Sequence, residues 1–405
     1  MSMTRFRIGF LPLVDAALPI LARELGFAEA EGLDLVLVRD MSWAAVNDRL
    51  LFGNTDAAHL LAPLSIATTL GLGRPPISLS VPFVLGLNGN AITLRPDLAA
   101  QVCTTGMPGD VSTIGHNLAR VAKAAKAAGQ PLRLGVVHRH SSHNYMLRYW
   151  LRGCGLDPNL DVEIVTVAPP FAADALAEGE IDGICVGEPW NSVAVHRGVG
   201  IIVAVTSQIW LRGVEKVLAM QTARMEGEPE TVSRLIRALH RAAQAFVDPE
   251  KLDMICDILA RITYLDASAD LIRCAVSDRI VFARGAEAIH MPNFMFQFRE
   301  AANFPWVSQA AWLYAQMVIA GHTPRNDDDY ALAQRVFRPD VYRTALAPMG
   351  TPIPGASSKL EGGIDGPLGV GTKQGRLILG ADRFFDGRTF DPDRLDDHLA
   401  EVPVI

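Results

Sequence analysis

The chain has 405 residues, of which 49% are hydrophobic, 20% charged and 7% aromatic, and its formal net charge is -7. This length accommodates two domains, and the composition is typical of a globular protein and excludes a disordered or fibrous chain. The negative charge argues against direct binding to nucleic acid, because proteins that bind DNA or RNA carry an excess of Lys and Arg.

The first 27 residues contain many apolar side chains but no unbroken apolar segment. Charged residues interrupt them at Arg5, Arg7, Asp15, Arg23 and Glu24. A secretory signal requires a continuous apolar core, and a membrane span requires about 20 apolar residues. The five cysteines form no C-x-x-C pair, which fits a reducing compartment. We therefore expect a cytoplasmic protein that crosses no membrane.

An α/β pattern opens the chain. "RFRIGFLPL" predicts a strand, "DAALPILARELGFAEAEG" a helix that stops at a Gly, and "LDLVLVRD" a second strand parallel to the first. "SWAAVNDRLLFGNTDAAHLL" repeats this order, with Ser42 as the expected helix cap. The extended segment 84–94, "VLGLNGNAITL", closes this first region.

A second α/β region follows a turn-rich stretch. It contains a predicted helix over 119–128, the strand "LRLGVVH", a helix from about Ser142, and the strands "DVEIVTV", "IDGICVG" and "IIVAVTSQIW". Helical periodicity dominates from Pro229 to Arg261 and again in "NFPWVSQAAWLYAQMVIAGH".

These elements predict an α/β protein of two lobes with a ligand cleft between them. The first part of lobe 1 spans residues 1–97, and lobe 2 spans 98–205. A helical return to lobe 1 spans 206–350, and a Gly/Pro-rich C-terminal surface arm spans 351–405.

The stretch "SSHNYMLRYWL" predicts a helix start with Ser141 or Ser142 as the cap. Free amides and the helix dipole at such a start can bind an anion, and His143 lies in the first turn. The alternative is an ordinary capped helix with a solvated His143.

Gly89 and Asn90 interrupt a strand pattern, which indicates either an ordinary bulge or a close backbone approach to a ligand. Trp43 follows the expected cap Ser42 and is interpreted as a pocket wall or as core. Lys216 lies in the largely apolar segment "VEKVLAM". It is interpreted either as an exposed lysine at a strand edge or as a buried cation that needs an anion beside it.

"CVGEPWN" predicts a sharp turn that contains the Glu188 carboxylate and Pro189. The alternative is an ordinary turn in which the carboxylate has no further role. The chain has no G-x-S-x-G, G-x-G-x-x-G or P-loop motif. The run "HRHSSH" lacks helical metal-ligand spacing and a neighbouring carboxylate, so no metal site and no cofactor are expected.

Taken together, six stretches resemble the nitrate and bicarbonate solute-binding family of ABC transporters. They are "GFLPLVDAALPILARELGFAEAEGLDLVL", "SWAAVNDRLLFGNTDAAHLLAPL", "LNGNAITL", "HNYMLRYWLRGCGLDP", "IDGICVGEPWN" and "NFPWVSQAAWLYAQM". The resemblance covers most of the chain except the C-terminal arm. It implies a type II periplasmic-binding-protein fold with a small oxyanion between the lobes.

The resemblance also implies the site residues. The pocket aromatic matches Trp43, the strand amide Asn90, the helix-start imidazole His143 and the cation Lys216. Nitrate-binding members have a glutamine where this chain has Asn90, and bicarbonate binders have an acidic residue and calcium where it has Lys216. Lys216 therefore favours nitrate or nitrite without metal. Further pocket positions are Gly89, Ser142, Glu188 and Pro189.

Because no export signal is expected, the protein resembles the cytoplasmic members of this family, the NasS-type nitrate and nitrite sensors. That resemblance implies a sensor that sequesters a NasT-like RNA-binding antiterminator and releases it when the anion binds. The alternatives are the solute-binding component of a nitrate transporter, a bicarbonate sensor, and an enzyme on the same fold, like the thiamine-precursor synthases.

Overall fold

The computed structural model describes residues 3–104, 106 and 108–401. Within these residues the chain forms two mixed β-sheets with helices packed on their faces. No helix in this part of the chain is both long and apolar enough to span a bilayer.

The strands are β1 (Thr4–Phe10), β2 (Leu33–Arg39), β3 (Ala57–Leu61), β4 (Leu79–Asn88), β5 (Asn90–Leu94), β6 (Arg133–Val136), β7 (Glu163–Thr166), β8 (Gly183–Gly187), β9 (Ile201–Val205), β10 (Val214–Gln221), β11 (Arg279–Ile280), β12 (Ile289–His290), β13 (Met295–Phe296), β14 (Leu368–Val370) and β15 (Leu377–Leu379).

The α-helices are α1 (Ala17–Glu24), α2 (Phe27–Ala30), α3 (Trp43–Leu51), α4 (Ala62–Leu70), α5 (Pro96–Val102), α6 (Val111–Ala127), α7 (Ser142–Gly153), α8 (Ala172–Ala177), α9 (Trp190–Arg197), α10 (Thr206–Ile209), α11 (Thr222–Gly227), α12 (Pro229–Phe246), α13 (Leu252–Ala260), α14 (Ala269–Val276), α15 (Val307–Ile319), α16 (Asp327–Val336), α17 (Pro339–Leu346) and α18 (Leu395–Ala400).

The first sheet has the strand order β13-β4-β10-β3-β1-β2. Strand β1 is parallel to β2, with Thr4 opposite Leu33, which confirms the predicted βαβ unit. Strand β10 enters this sheet antiparallel to both β3 and β4, so it lies in the interior of the sheet. A residue on β10 is therefore covered by neighbouring strands.

The second sheet has the order β7-β6-β8-β5-β9. Strands β6, β7 and β8 are parallel, whereas β5 pairs antiparallel with β8 and β9. Helix α6 begins well before the predicted residue 119, because the Asp110 carboxylate accepts a hydrogen bond from the Thr113 amide (2.7 Å) and caps it.

The first crossing between the sheets lies at Asn88–Asn90, inside the segment predicted to close lobe 1. Asn88 and Gly89 have φ of 58° and 87°, and these two consecutive left-handed residues redirect the chain from β4 into the second sheet. Strand β5 therefore belongs to the second sheet and not to lobe 1, where the predicted boundary at residue 97 had placed it. The chain returns to the first sheet at Val214, because α10 still packs on lobe 2 strands.

The segment predicted as a surface arm is docked along the return crossing in the described residues. The Leu211 amide donates to the Arg383 carbonyl (3.0 Å), and the Phe385 amide donates to the Ile209 carbonyl (2.9 Å). Phe384 is buried and stacks on Trp312 of α15 with 5.7 Å between ring centroids. Apolar side chains hidden among the glycines and prolines thus anchor the arm.

Candidate binding site between the lobes

Lys216 lies on β10 and is completely buried. Its Nζ is 2.8 Å from Asp15 Oδ2 and 2.6 Å from Glu215 Oε1. The interpretation as an exposed strand-edge lysine is therefore wrong, because β10 is flanked by β3 and β4. Burial alone would lower the pKa of Lys216, but the two carboxylates raise it above its usual value and keep the ammonium charged.

Glu215 and Lys216 are adjacent in a strand, where successive side chains normally point to opposite faces. The pairing of β10 with β4 shifts register on both sides of Lys216. Such an irregularity re-aims side chains. It lets the Glu215 carboxylate and the Lys216 ammonium meet on the same side of the strand.

Asp15 lies just after β1 in a short 3-10 turn, Val14–Ala16. Its Oδ1 is 2.8 Å from Nε2 of His59 on β3, so the carboxylate bridges His59 and Lys216. Burial opposes ionisation of Asp15, but Lys216 and His59 hold its pKa well below the usual range. Burial lowers the pKa of His59, against the opposing effect of Asp15.

Glu215 connects Lys216 to lobe 2. Its Oε1 lies 3.3 Å from Nδ1 of His143 on α7, and its carboxylate also interacts with the Asn90 side chain. Burial raises the pKa of Glu215, with Lys216 opposing that shift and Asp15 adding to it. Burial and then Lys216 lower the pKa of His143 well below its usual value. Both lobes therefore contribute to one charged cluster.

The start of α7 places His143 in this cluster. Ser141 is the cap, since its Oγ accepts the Asn144 amide (3.1 Å), and Ser142 is the first helical residue. His143 is fully buried, so the interpretation as a solvated first-turn residue is wrong. Ser142 Oγ is also buried and has no hydrogen-bond partner among the described residues.

Trp43 covers the Lys216 side of the cluster. Its ring centroid is 5.3 Å from Lys216 Nζ and 5.3 Å from the His59 ring. The Ser42 Oγ caps α3 by accepting the Ala45 amide (3.2 Å), as predicted, and this cap positions Trp43 as the first helical residue. Trp43 is thus both buried and a wall of the site.

The loop after β8 lies beside the same cluster. Asn90 is paired with Gly187, and a Cβ on Gly187 would lie 3.2 Å from Asn90 Oδ1 and 3.4 Å from Asp15 Oδ2. The Glu188 amide donates to the Gly89 carbonyl (3.2 Å), while the Glu188 carbonyl accepts the Val14 amide (2.8 Å). A glycine at position 187 therefore leaves room between the two lobes.

Glu188 and Pro189, joined by a cis peptide bond, form the turn into α9. Glu188 Oε2 accepts the Ser192 amide (3.1 Å), whereas Oε1 is buried without a partner among the described residues. Burial raises the pKa of Glu188 to about 7.

The structure thus brings Trp43, Asn90, His143 and Lys216 together. Gly89 and Ser142 precede Asn90 and His143 in the chain, whereas Glu188 reaches this region through its backbone contact with Gly89 and directs its carboxylate, like Pro189, to the start of α9. Sequence reasoning missed Asp15, His59 and Glu215, which link these residues. A signal existed for Asp15, which is the single charge in the apolar run "GFLPLVDAALPIL". For His59 and Glu215 the pairing depends on strand neighbours that the sequence does not specify.

Several buried polar atoms around Lys216 have no hydrogen-bond partner within the described part of the chain. They are Trp43 Nε1, His59 Nδ1, Asn90 Oδ1 and both ring nitrogens of His143, and Ser142 Oγ and Glu188 Oε1 on the neighbouring helix start and loop are also unpaired. An unpaired buried polar atom costs about 1–3 kcal/mol, so such a group indicates a bound polar ligand or water. Over residues 3–104, 106 and 108–401, no group of three or more His, Cys, Asp or Glu is arranged to hold a metal.

Comparison with known proteins supports the family resemblance. The model of the NMT1-like family matches residues 2–260. This chain belongs to the NMT1-like family. It is 30% identical over 402 residues to the nitrate/nitrite binding protein NrtA of Synechococcus elongatus. The aligned region covers 97% of this chain and 84% of NrtA.

Two further relatives of this NMT1-like protein are informative. It is 33% identical over 347 residues to the nitrate import ATP-binding protein NrtC of Synechocystis, covering 85% of the chain but only about half of the length of NrtC. The crystal structure of the periplasmic nitrate-binding protein NrtA from Synechocystis matches with a TM-score of 0.86 and 25% identity over 99% of both chains. The predicted two-lobed periplasmic-binding-protein fold is thereby confirmed.

Proposed function

We propose that this NMT1-like protein binds nitrate or nitrite at the site around Lys216. The observation that carries the proposal is the set of buried, unpartnered polar atoms that both lobes direct around one ammonium. A small planar monoanion accepts hydrogen bonds from ammonium, imidazole and indole donors at once. The similarity to NrtA, which is named for binding nitrate and nitrite, supports this ligand class.

In this proposal Lys216 supplies the positive charge, and Trp43 Nε1 and His143 Nε2, which have no partner within the described part of the chain, are further donors. Asn90 has a different role from a longer glutamine, because its side chain interacts with Glu215. It holds Glu215 in place and does not itself have to reach the anion.

Isothermal titration with nitrate, nitrite, chloride and bicarbonate, without added metal, tests the proposal. We expect binding of nitrate or nitrite and no heat of binding with bicarbonate. Binding of bicarbonate alone, or of none of the four anions, would overturn it.

We further propose that the protein is a cytoplasmic sensor that sequesters an RNA-binding antiterminator and releases it when the anion binds. Because the site is assembled from both lobes, anion occupancy and lobe arrangement are coupled, and a partner that prefers the other arrangement is displaced. Nitrate should dissociate the purified complex of the protein with its antiterminator. A complex that is indifferent to nitrate, although nitrate binds the protein alone, would contradict the sensor role.

The similarity to NrtA over nearly the whole chain equally favours a second function, the solute-binding component of a nitrate transporter. Cell fractionation separates the two functions. A periplasmic or membrane-attached protein whose deletion abolishes nitrate uptake would establish the transporter function, and a cytoplasmic protein whose deletion leaves uptake intact would exclude it.

A further inference from the structure

The cluster around Lys216 contains more acidic than basic groups. The ammonium lies within 2.8 Å of two carboxylates, those of Asp15 and Glu215, and all three side chains are buried. With Lys216 protonated and both carboxylates ionised, the cluster carries one net negative charge before any ligand enters. A second negative charge in the same buried volume is strongly disfavoured.

Other titratable groups face the cluster from each neighbouring element. They are His59 on β3, His143 on α7 and Cys185 on β8, whose buried thiol already carries its proton because burial raises its pKa. Trp43 and Asn90 complete the lining and do not titrate. Charge balance on anion binding therefore has to come from a proton that one of these groups, or Glu215, accepts.

We propose that the site takes up one proton together with each monoanion, and that Glu215 and His143, whose Oε1 and Nδ1 lie 3.3 Å apart, hold this proton between them. This inference rests on the proposed function and adds a second ligand to it. The proton comes from the buffer acid, and no covalent bond to the anion forms or breaks.

The geometry favours this pair over the other groups. Asp15 is held ionised by two partners, Lys216 and His59. Glu215 Oε1 accepts a hydrogen bond from Lys216 (2.6 Å) and lies 3.3 Å from His143 Nδ1, which has no hydrogen-bond partner among the described residues, so an anion that recruits Lys216 leaves Glu215 free to take a proton. Burial also raises the pKa of Glu215, which favours the protonated form. The His143 Nε2, which has no partner in the described residues, then faces the anion as a donor.

The inference predicts a specific pH dependence of nitrate binding. The free pair loses its proton as pH rises, and bound nitrate shifts that loss to higher pH. Between the pKa of the free Glu215–His143 pair and the pKa of the nitrate-bound pair, nitrate affinity falls by about tenfold per pH unit, since one proton is linked to binding. A site without linked protonation would bind nitrate equally at each pH in this range.

Calorimetric titration of the full chain with nitrate in PIPES, HEPES and Tris, at equal counter-ion concentration and several pH values from about 6 to 9, measures the linked proton directly. The slope of the observed enthalpy against the ionisation enthalpy of the buffer gives the protons taken up. We expect a maximum near one proton per nitrate. Nitrate binding with no proton uptake at any pH would overturn this inference but leave the proposed function intact, whereas absence of nitrate binding would overturn the proposed function.

Variants assign the proton. Glu215→Gln should abolish proton uptake and make nitrate affinity independent of pH, and His143→Gln tests the same pair if the first variant does not fold. Glu361→Gln is the matched control, because Glu361 is also a buried glutamate beside a lysine but lies in the C-terminal arm. Uptake that survives both Glu215→Gln and His143→Gln, or that is lost with His59→Gln alone, would overturn the assignment.

Discussion

Two clusters in this protein place a lysine between two buried carboxylates but have different surroundings. The site cluster consists of Lys216, Asp15 and Glu215, and the arm cluster consists of Lys359, Glu361 and Asp382. Each places one ammonium between two carboxylates. Composition alone therefore does not distinguish a structural ion cluster from a binding site.

The partners of the carboxylates make the difference. In the arm cluster, Glu361 Oε1 accepts the Ser308 hydroxyl (2.6 Å) and Asp382 Oδ1 accepts the Trp210 indole N–H (2.8 Å). In the site cluster Asp15 also has a second partner, His59, but the cluster is surrounded by donors and acceptors that are unpaired among the described residues, such as Trp43 Nε1 and His143 Nε2. The arm cluster, whose carboxylates accept further hydrogen bonds, attaches the arm to α15 and to the return crossing. The site cluster, with unpaired polar atoms around it, is available to bind a ligand.

Removing the lysine of the site cluster should have the largest effect on binding. Lys216→Gln removes the ammonium of the site that can donate to the anion, and truncating one partner of a buried charged contact weakens binding by about 2–5 kcal/mol. We expect nitrate affinity to fall by at least about 100-fold in calorimetric titration. An affinity within threefold of the unmodified protein would exclude Lys216 from the site.

The equivalent change in the arm cluster should affect stability and not binding. Lys359→Gln leaves two buried carboxylates without their cation, which we expect to lower the free energy of unfolding by about 3 kcal/mol. Urea denaturation measures this loss. If nitrate affinity also fell strongly in the folded variant, the two clusters would not have separate roles.

Glu188 is a buried carboxyl that has no lysine partner in the described residues, and its effect should appear in the pH dependence of stability. Its pKa in the folded protein is raised to about 7, above the value in an unfolded chain, so its stabilising contribution is complete at low pH and is lost as pH rises towards 7. The loss amounts to about 3 kcal/mol at most, at 1.36 kcal/mol per pKa unit. We expect the free energy of unfolding to differ less between pH 5 and pH 8 in Glu188→Gln than in the unmodified protein, as measured by urea denaturation. An unchanged difference would contradict this assignment.

His143→Ala should have the smallest effect of the four. Loss of one charge-assisted hydrogen bond to the anion should weaken nitrate binding by about 1–3 kcal/mol in calorimetry, with little change in fold. His398→Ala serves as the matched control, because His398 is a buried histidine on α18, in the C-terminal segment, whose Nε2 has no partner among the described residues. Equal losses in both variants would indicate a general effect on the structure.

Periodicity and caps were sufficient to predict much of the fold. The alternation around β1 and β2 gave the parallel pair, and Ser42 gave the start of α3. Asn88 and Gly89 marked a backbone change, but only the paired strands reveal that the chain changes sheet there. The docked arm was not predicted, because Phe384 is one apolar residue in a segment dominated by turn formers and its partners Trp210 and Trp312 are distant in sequence.

The positions that the family resemblance supplied, such as Trp43 and His143, lie near the same charged cluster, and their role in binding stays a prediction. The pairing of Asp15 and Glu215 with Lys216 could not be predicted from the sequence, for two physical reasons. Asp15 meets Lys216 through strands brought together by the fold, and Glu215 reaches the same side as Lys216 only because the pairing of β10 with β4 is irregular. Regular alternation would have placed these two neighbours on opposite faces.

A crystal structure of the protein grown with nitrate tests the proposed site most directly. We expect density for one planar anion within hydrogen-bond distance of Lys216 Nζ, Trp43 Nε1 and His143 Nε2, with the arm cluster around Lys359 unchanged. An anion bound elsewhere, or a site that contains only water at a nitrate concentration that saturates the protein in solution, would contradict it.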